Sequence, residues 1–527
     1  MKKGKGVMRF QFKVLPDWPA LSWVAECSNH ESVIIVYCGS KVETGNDQWF
    51  CEAVWVGEYA AGDFDQTDIV AGSGARIRDD KVMFVSPGST VDRLQFLQHD
   101  DCIRISNSLC ALLVMAEGSV DSTYYYHQRD MGSIILGLHQ YKKTISTTAG
   151  PVRLVYLHNI EWDGLELRIV EKPGGVRDFS TFAKYYDFLD FSMKKLAKNS
   201  ADNGRKHSLK LLCPLSNGYD SPTVAVLAKR AGCQEAITFD AGRSGVDDSG
   251  HSIGQQLGIE TRVLVRDAWK AKNLDDIPFP EVPFIAGSGA NGEVLLLGAH
   301  DYLSGTVLLT GFQGDAVWGK SHHDLSDKLV RVDGSGLCFT EYRLLAGFIH
   351  CAVPFWGARQ IRDLCKLSNS SELQPWDIGG SYSRPICRRI VEEAGVLREQ
   401  FGQSKCGISV PPPHPGNFLL PKSERDYFRW FKKHQIDWKK RGRIPPNETL
   451  SKLLDTILAP AANIFLGLSK IRVLRRSGHY VRFMLDIASY LSSPLYIRRY
   501  TFPWAVDRAM ERYRRPEEGV RCSFSGE

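Results

Sequence analysis

Ser216-Asn217-Gly218-Tyr219-Asp220-Ser221 places two hydroxyls, a small-residue turn and a carboxylate within six residues. The apolar run Leu209–Leu215 precedes it, and Pro222 with the periodic Val224, Leu227 and Ala228 follows. A buried parallel strand that breaks into such a turn and then a helix aims backbone N–H groups outward. The helix dipole adds about 0.3–1 kcal/mol for an anion there, and Pro222 suits a first helical turn because its missing N–H costs nothing. Asp220 would repel bare phosphates, so its presence points to a bridging cation such as Mg²⁺. The spacing lacks the Gly-Lys-Ser/Thr end of a Walker loop. A second segment, Leu308-Leu-Thr-Gly-Phe-Gln-Gly-Asp315, repeats the logic of strand, small residues and carboxylate. In a parallel sheet, two such strand ends lying side by side would bring Asp220 and Asp315 to one metal. Two carboxylates, phosphate oxygens and water satisfy octahedral Mg²⁺. Taken singly, each Asp also suits a turn or a helix cap.

Positioning these loops calls for alternating strands and helices. The pattern predicts strand 209–215, helix 221–231, strand Glu235–Phe239, helix Asp248–Leu257, strand Thr261–Val265 and strand Thr306–Leu309. That alternation predicts a doubly wound parallel sheet with ligand at the carboxyl ends of its strands. Residues 1–180 read as β-rich, with short runs at Ser32–Tyr37, Trp49–Val56, Lys81–Val85, Val152–Leu157 and Leu165–Val170 between Gly, Asn and Asp turns. After about residue 330 the pattern turns helical, and Val410–Gly416 is a turn-rich linker. The expected architecture is α/β: a β-rich domain over 1–180, a parallel-sheet domain over 181–420 and a basic helical region over 421–527.

The chain has 527 residues, 43% hydrophobic and 24% charged, which is material for two to four ordinary domains. No apolar run reaches the ~18–20 residues of a transmembrane helix, and no signal-like segment follows the basic start. The 13 cysteines are scattered without a Cys-x-x-Cys pair, which suits a reduced cytoplasmic compartment. Charge is uneven: residues 422–527 hold 22 Lys+Arg against 11 Asp+Glu, a net of +11, which leaves −5 for the rest of the +6 chain. Basic clusters there alternate with Trp430, Phe431, Trp438, Tyr490 and Trp504. Such a region can meet nucleic acid, an anionic surface or an acidic carrier, or simply face solvent with its aromatics turned inward.

Residues 205–408 resemble the synthetase domain of the asparagine synthetase family, within the ATP-pyrophosphatase superfamily. Ser216–Ser221 is similar to the family's Ser-Gly-Gly-x-Asp-Ser loop, with Asn217 replacing a glycine. Thr310–Gly319 is similar to its second loop, with Asp315 kept and Ala316 in place of a Glu. Asp247-Asp248 with Leu257-Gly-Ile-Glu260, Ile349-His-Cys-Ala-Val-Pro-Phe355, Arg384-Pro-Ile-Cys-Arg-Arg389 and Phe401–Gly407 follow in family order. The resemblance implies a binding site for ATP at Ser216, Asn217, Gly218, Asp220, Ser221, Thr310 and Gly311, with Mg²⁺ on Asp220 and Asp315. It implies that Lys405 stabilises the departing phosphates and that His350, standing where the family has a Glu, deprotonates an amine near neutral pH. Arg388 and Arg389 are further anion partners, only one of which can face the site. His322-His323 reads as surface.

The implied reaction is ATP-dependent amide formation, in which a carboxylate is adenylated with release of pyrophosphate and then transferred to an amine. Ala316 and Ala352, which replaces a family Arg, argue against aspartate as the substrate. Ser89–Leu113 is weakly similar to the end of the family's glutaminase domain, which uses an N-terminal cysteine. Residue 2 here is Lys and Cys27 lies mid-chain, so residues 1–180 are expected to form a degenerate, Ntn-hydrolase-like domain without glutaminase activity. The partners are then a small-molecule or peptide carboxylate and an amine. Nucleic acid is disfavoured but left open by the basic C-terminal region, and a homodimer is among the options. Two alternatives stay open: a catalytically inactive interaction protein, and an adenylating enzyme acting on a nucleobase or RNA.

Overall fold

A computed structural model describes residues 7–403, 419–440 and 497–516, apart from 100, 243–244, 322–324, 332 and 381. Its N-terminal part is two packed sheets. The first runs Arg9–Val14, Val33–Cys38, Trp23–Ser28, Cys102–Ser106, Leu94–His99, Val152–Val155 and Thr144–Ile145, antiparallel except for its first, parallel pair. The second runs Leu167–Glu171, His158–Trp162, Lys81–Val85, Val70–Arg78, Trp49–Trp55 and Glu43–Gly45, antiparallel throughout. Phe10, Trp23 and Val36 of the first sheet meet Phe50, Phe84 and Trp162 of the second in a dry core. Alternation fixes the faces: Trp23, Ala25 and Cys27 enter that core, whereas Val24 points to the opposite side.

That opposite side is covered by helix Leu109–Met115 and by two helices from the far end of the chain, Pro421–Lys440 and Thr501–Met510. Tyr427, Trp430, Phe431, Trp438 and Trp504 are buried there. These five aromatics therefore pack inward, and Tyr490 lies outside the described residues. The structure also contains strands Arg9–Val14, Trp23–Ser28, Val70–Arg78, Leu94–His99 and Cys102–Ser106, which the sequence pattern missed.

The remainder is built on a five-stranded, wholly parallel sheet: β1 (Lys210–Pro214), β2 (Glu235–Phe239), β3 (Glu260–Leu264), β4 (Thr306–Thr310) and β5 (Ile349–Ala352), in spatial order β3-β2-β1-β4-β5. Both faces are covered. Cys213, Val307 and Leu309 pack against Leu189, Val224 and Leu227, while Leu212 and Leu308 pack against Phe284, Leu295 and Tyr342. Burial on both faces explains why β4 reads as an apolar run, whereas the edge strand β3, Glu-Thr-Arg-Val-Leu, is largely unburied. The chain moves outward from β1 to β3 and returns on the other side of β1 as β4. Ligands of open α/β sheets bind outside the carboxyl ends at such a reversal.

Candidate active site

β1 ends at Pro214, and helix Asp220–Arg230 begins one residue earlier than expected. The intervening loop is tied down within itself and at its shoulders. Ser221 Oγ accepts from the Ser216 N–H at 3.0 Å, and the two hydroxyls lie 2.9 Å apart. The Asn217 N–H donates to the Asp248 carbonyl at 3.3 Å, and the Gly402 N–H donates to the Asn217 carbonyl at 2.8 Å.

β4 delivers the second loop beside the first. Gln313 adopts a left-handed φ of 74°, rare for a residue with a side chain, and caps the short helix Gly314–Val317. The loops touch through glycines. A Cβ on Gly311 would stand 2.7 Å from the Asp220 Cβ, and one on Gly314 would stand 2.5 Å from Asp220 Oδ1. Any side chain at either place would displace the carboxylate.

Between the loops lies a cavity of about 350 Å³ at the carboxyl ends of β1, β2 and β4. Ser216, Gly218, Asp220, Ser221, Thr310, Gly311 and Asp315 all line it, over an apolar floor of Ile237, Phe239, Leu295, Leu296 and Leu308. Further lining groups were not singled out from the sequence as site residues: Asp248, Glu293, Asp333, Tyr382 and Arg384. Burial pushes the Asp248 carboxyl up from 3.8 to about 6. Burial also raises Glu293, which accepts from the Gly336 N–H at 3.1 Å and the Cys338 thiol at 2.6 Å. The available signals were Asp247-Asp248 and Arg384, each inside a segment quoted for the family resemblance. Glu293 and Asp333 carried no signal.

Other expected residues stand elsewhere. Asn217 is outside the cavity lining. His350, on β5, is buried outside it as well, with its Nε2 2.8 Å from the Thr310 hydroxyl and its ring enclosed by Phe312 and Phe339. Burial, reinforced by Arg343 and Arg331, lowers its pKa to about 3. His350 thus meets the cavity wall through the Thr310 hydroxyl. Arg388 is buried and donates to the Tyr219 hydroxyl at 2.7 Å, while Arg389 pairs with Glu372 and Glu393. Neither lines the cavity, and the guanidinium that does is Arg384. Lys405, His322 and His323 lie outside the described residues, as does the 410–416 linker.

Among the described residues, no group of three or more His, Cys, Asp and Glu side chains is placed to hold a metal unaided. Of the carboxylates lining this cavity, Asp220 and Asp315 stand on neighbouring loops, with a glycine cradle behind one of them. That set fits a divalent cation whose remaining ligands come from phosphate and water. No helix among the described residues is long and apolar enough to cross a membrane. Neither the protein-family models nor the curated proteins contain a match to this chain.

Proposed function

We propose that the chain is an ATP-dependent ligase that adenylates a carboxylate and transfers it to an amine, using Mg²⁺ and acting in the cytoplasm. The observation that carries this reading is the contact of the two loops, which puts Asp220 and Asp315 on one cavity at the β1/β4 reversal. On this reading the parallel sheet is doubly wound, and the two-sheet N-terminal part with helices on its outer face is a degenerate Ntn-hydrolase-like domain. Asp220 and Asp315 hold Mg²⁺, which supplies charge neutralisation for the phosphates. Ser216, Gly218 and Ser221 offer donors to the pyrophosphate end, and the apolar floor suits the base of a nucleotide.

A carboxylate oxygen attacks the α-phosphorus, the bond to the β-phosphate oxygen breaks, and pyrophosphate leaves. The amine nitrogen then attacks the acyl carbon, AMP leaves, and the nitrogen loses a proton. Arg384, the cation at the cavity, is suited to orient the substrate carboxylate through its planar fork. Lys405, outside the described residues, keeps its proposed role at the departing phosphates on the family resemblance alone. A second reading, a nucleotide-free interaction protein, is favoured by the mutual pairing of the Ser216 and Ser221 hydroxyls.

Thermal unfolding with and without Mg²⁺-ATP separates the two. Ligand at ~100 times its dissociation constant adds about 2.7 kcal/mol. The ligase reading expects that shift in the wild type and its loss in both Asp220→Ala and Asp315→Ala, followed by carboxylate-dependent pyrophosphate release. No shift at saturating nucleotide supports the interaction protein.

A further inference from the structure

A second cavity, of about 410 Å³, lies at the opposite end of the parallel sheet, where the two halves of the molecule meet. Leu209, Gly305 and Ile349, at the amino ends of β1, β4 and β5, form one wall. Glu43, Glu52 and Ala53 of the second N-terminal sheet form the other. The volume falls in the range of small-molecule sites, ~300–1,000 Å³.

The charged groups of the walls are held by partners of their own. The Arg205 guanidinium donates to the Ala53 carbonyl at 2.9 Å and to Asn199 Oδ1 at 2.6 Å, and it lies 4.4 Å above the Tyr59 ring. Glu43 accepts from the Tyr59 hydroxyl and the Lys206 N–H, both at 3.0 Å, and faces Arg205 at 3.9 Å. Glu52 is paired with Arg343 at 2.7 Å. Each carboxylate therefore already has its guanidinium.

Two ammonium groups are left over. Lys41 Nζ donates to Ser304 Oγ at 2.7 Å, and Lys206 Nζ donates to Thr44 Oγ1 at 2.7 Å. Neither lysine forms a salt bridge among the described residues. Lys41 comes from the N-terminal sheets and Lys206 from the segment entering β1, with His207 beside it on the lining. Uncompensated cations at a cleft with low-dielectric walls focus positive potential and concentrate anions. Hydroxyls next to them can be exchanged for oxyanion acceptors at little cost.

We propose that this cleft binds a small oxyanion-bearing molecule, a phosphomonoester or a carboxylate, held by Lys41 and Lys206 across the junction of the two halves. The site is separate from the nucleotide cavity and does not depend on the ligase reading. Its occupant would clasp the N-terminal sheets to the amino ends of strands whose other ends carry the candidate active loops.

The test uses the full chain without Mg²⁺, titrated with inorganic phosphate or with succinate at ionic strength held constant by KCl, and reads thermal unfolding. The expected result is a saturable rise in midpoint with at least one anion. The apparent affinity should fall tenfold or more in the Lys41→Gln/Lys206→Gln double variant, stay in Lys41→Arg, and be unchanged in Asp220→Ala. A response to phosphate alone assigns a phosphorylated occupant, and a response to succinate alone a carboxylate. No saturable shift with either anion, or an equal shift in the double variant, overturns the proposal.

Discussion

At position 314 the absence of a methyl group decides where the Asp220 carboxylate sits. Gly314→Ala forces a contact at 2.5 Å with Asp220 Oδ1, and overpacking of this kind costs about 1–3 kcal/mol. The expected variant still folds but loses most of its Mg²⁺-ATP-induced thermal shift. Asp248 gives a second prediction at this scale. Folding raises its pKa from 3.8 to about 6, so between those values the folded chain binds the extra proton. Its contribution to stability is fully present below pH 3.8 and is lost as pH rises through 6. Asp248→Asn should therefore exceed the wild type in stability at pH 7–8, by up to about 3 kcal/mol, and the gap should close towards pH 4 in urea titrations. The two loop aspartates were legible because strand, small residues and carboxylate recur in order. Asp333 and Glu293 were not, since a single acid outside a motif looks like any solvated side chain until the fold brings it to a cavity.

Among elements, helix Thr340–Ala346 joins the two halves through buried polar contacts. Its Arg343 pairs with Glu52 at 2.7 Å and also with Asp92, while Thr340 donates to Asp92 at 2.9 Å. Beside it, Glu341 accepts from the Ser108 and Tyr513 hydroxyls. All three charges of the Arg343 triad are almost fully buried. Arg343→Met would strand two carboxylates in the interior and is expected to cost about 3–5 kcal/mol, read as a lower urea midpoint. Strand legibility followed burial geometry. The inner parallel strands β1 and β4 announced themselves as apolar runs, the edge strand Ile349–Ala352 was not foreseen, and Val70–Arg78 carries Gly72 and Gly74 and resembles turn punctuation. In the sheet a Cβ at Gly72 would fall 1.9 Å from the Glu52 carbonyl oxygen, so the glycines permit close approach of the neighbouring strand rather than a turn.

For the whole molecule, the two described helices of the C-terminal basic region, Pro421–Lys440 and Thr501–Met510, form part of the N-terminal core. Trp504 is fully buried, donates to Asp426 at 2.9 Å and packs edge-on against Tyr427. Trp504→Ala should cost about 3–5 kcal/mol, measurable by chemical denaturation, and the loss should appear in probes of the first sheet as well as of the helix. Composition and periodicity showed that these helices are amphipathic. They could not show which sheet receives them, because an apolar stripe specifies that a partner exists and not its address.

That return of the chain has a consequence for biosynthesis. The Trp18 indole N–H donates to the Arg514 carbonyl at 2.9 Å, a contact spanning 496 residues, and helix Thr501–Met510 lies over the outer face of the first sheet. A ribosome making this protein completes the first sheet long before it supplies helix Thr501–Met510, so part of that face stays uncovered in the meantime. Closure of so distant a contact is slow, and exposed apolar surface invites association in the meantime. Nascent chains stalled before residue 500 should therefore be chaperone clients, and completion of the C-terminal helix becomes the step that releases them.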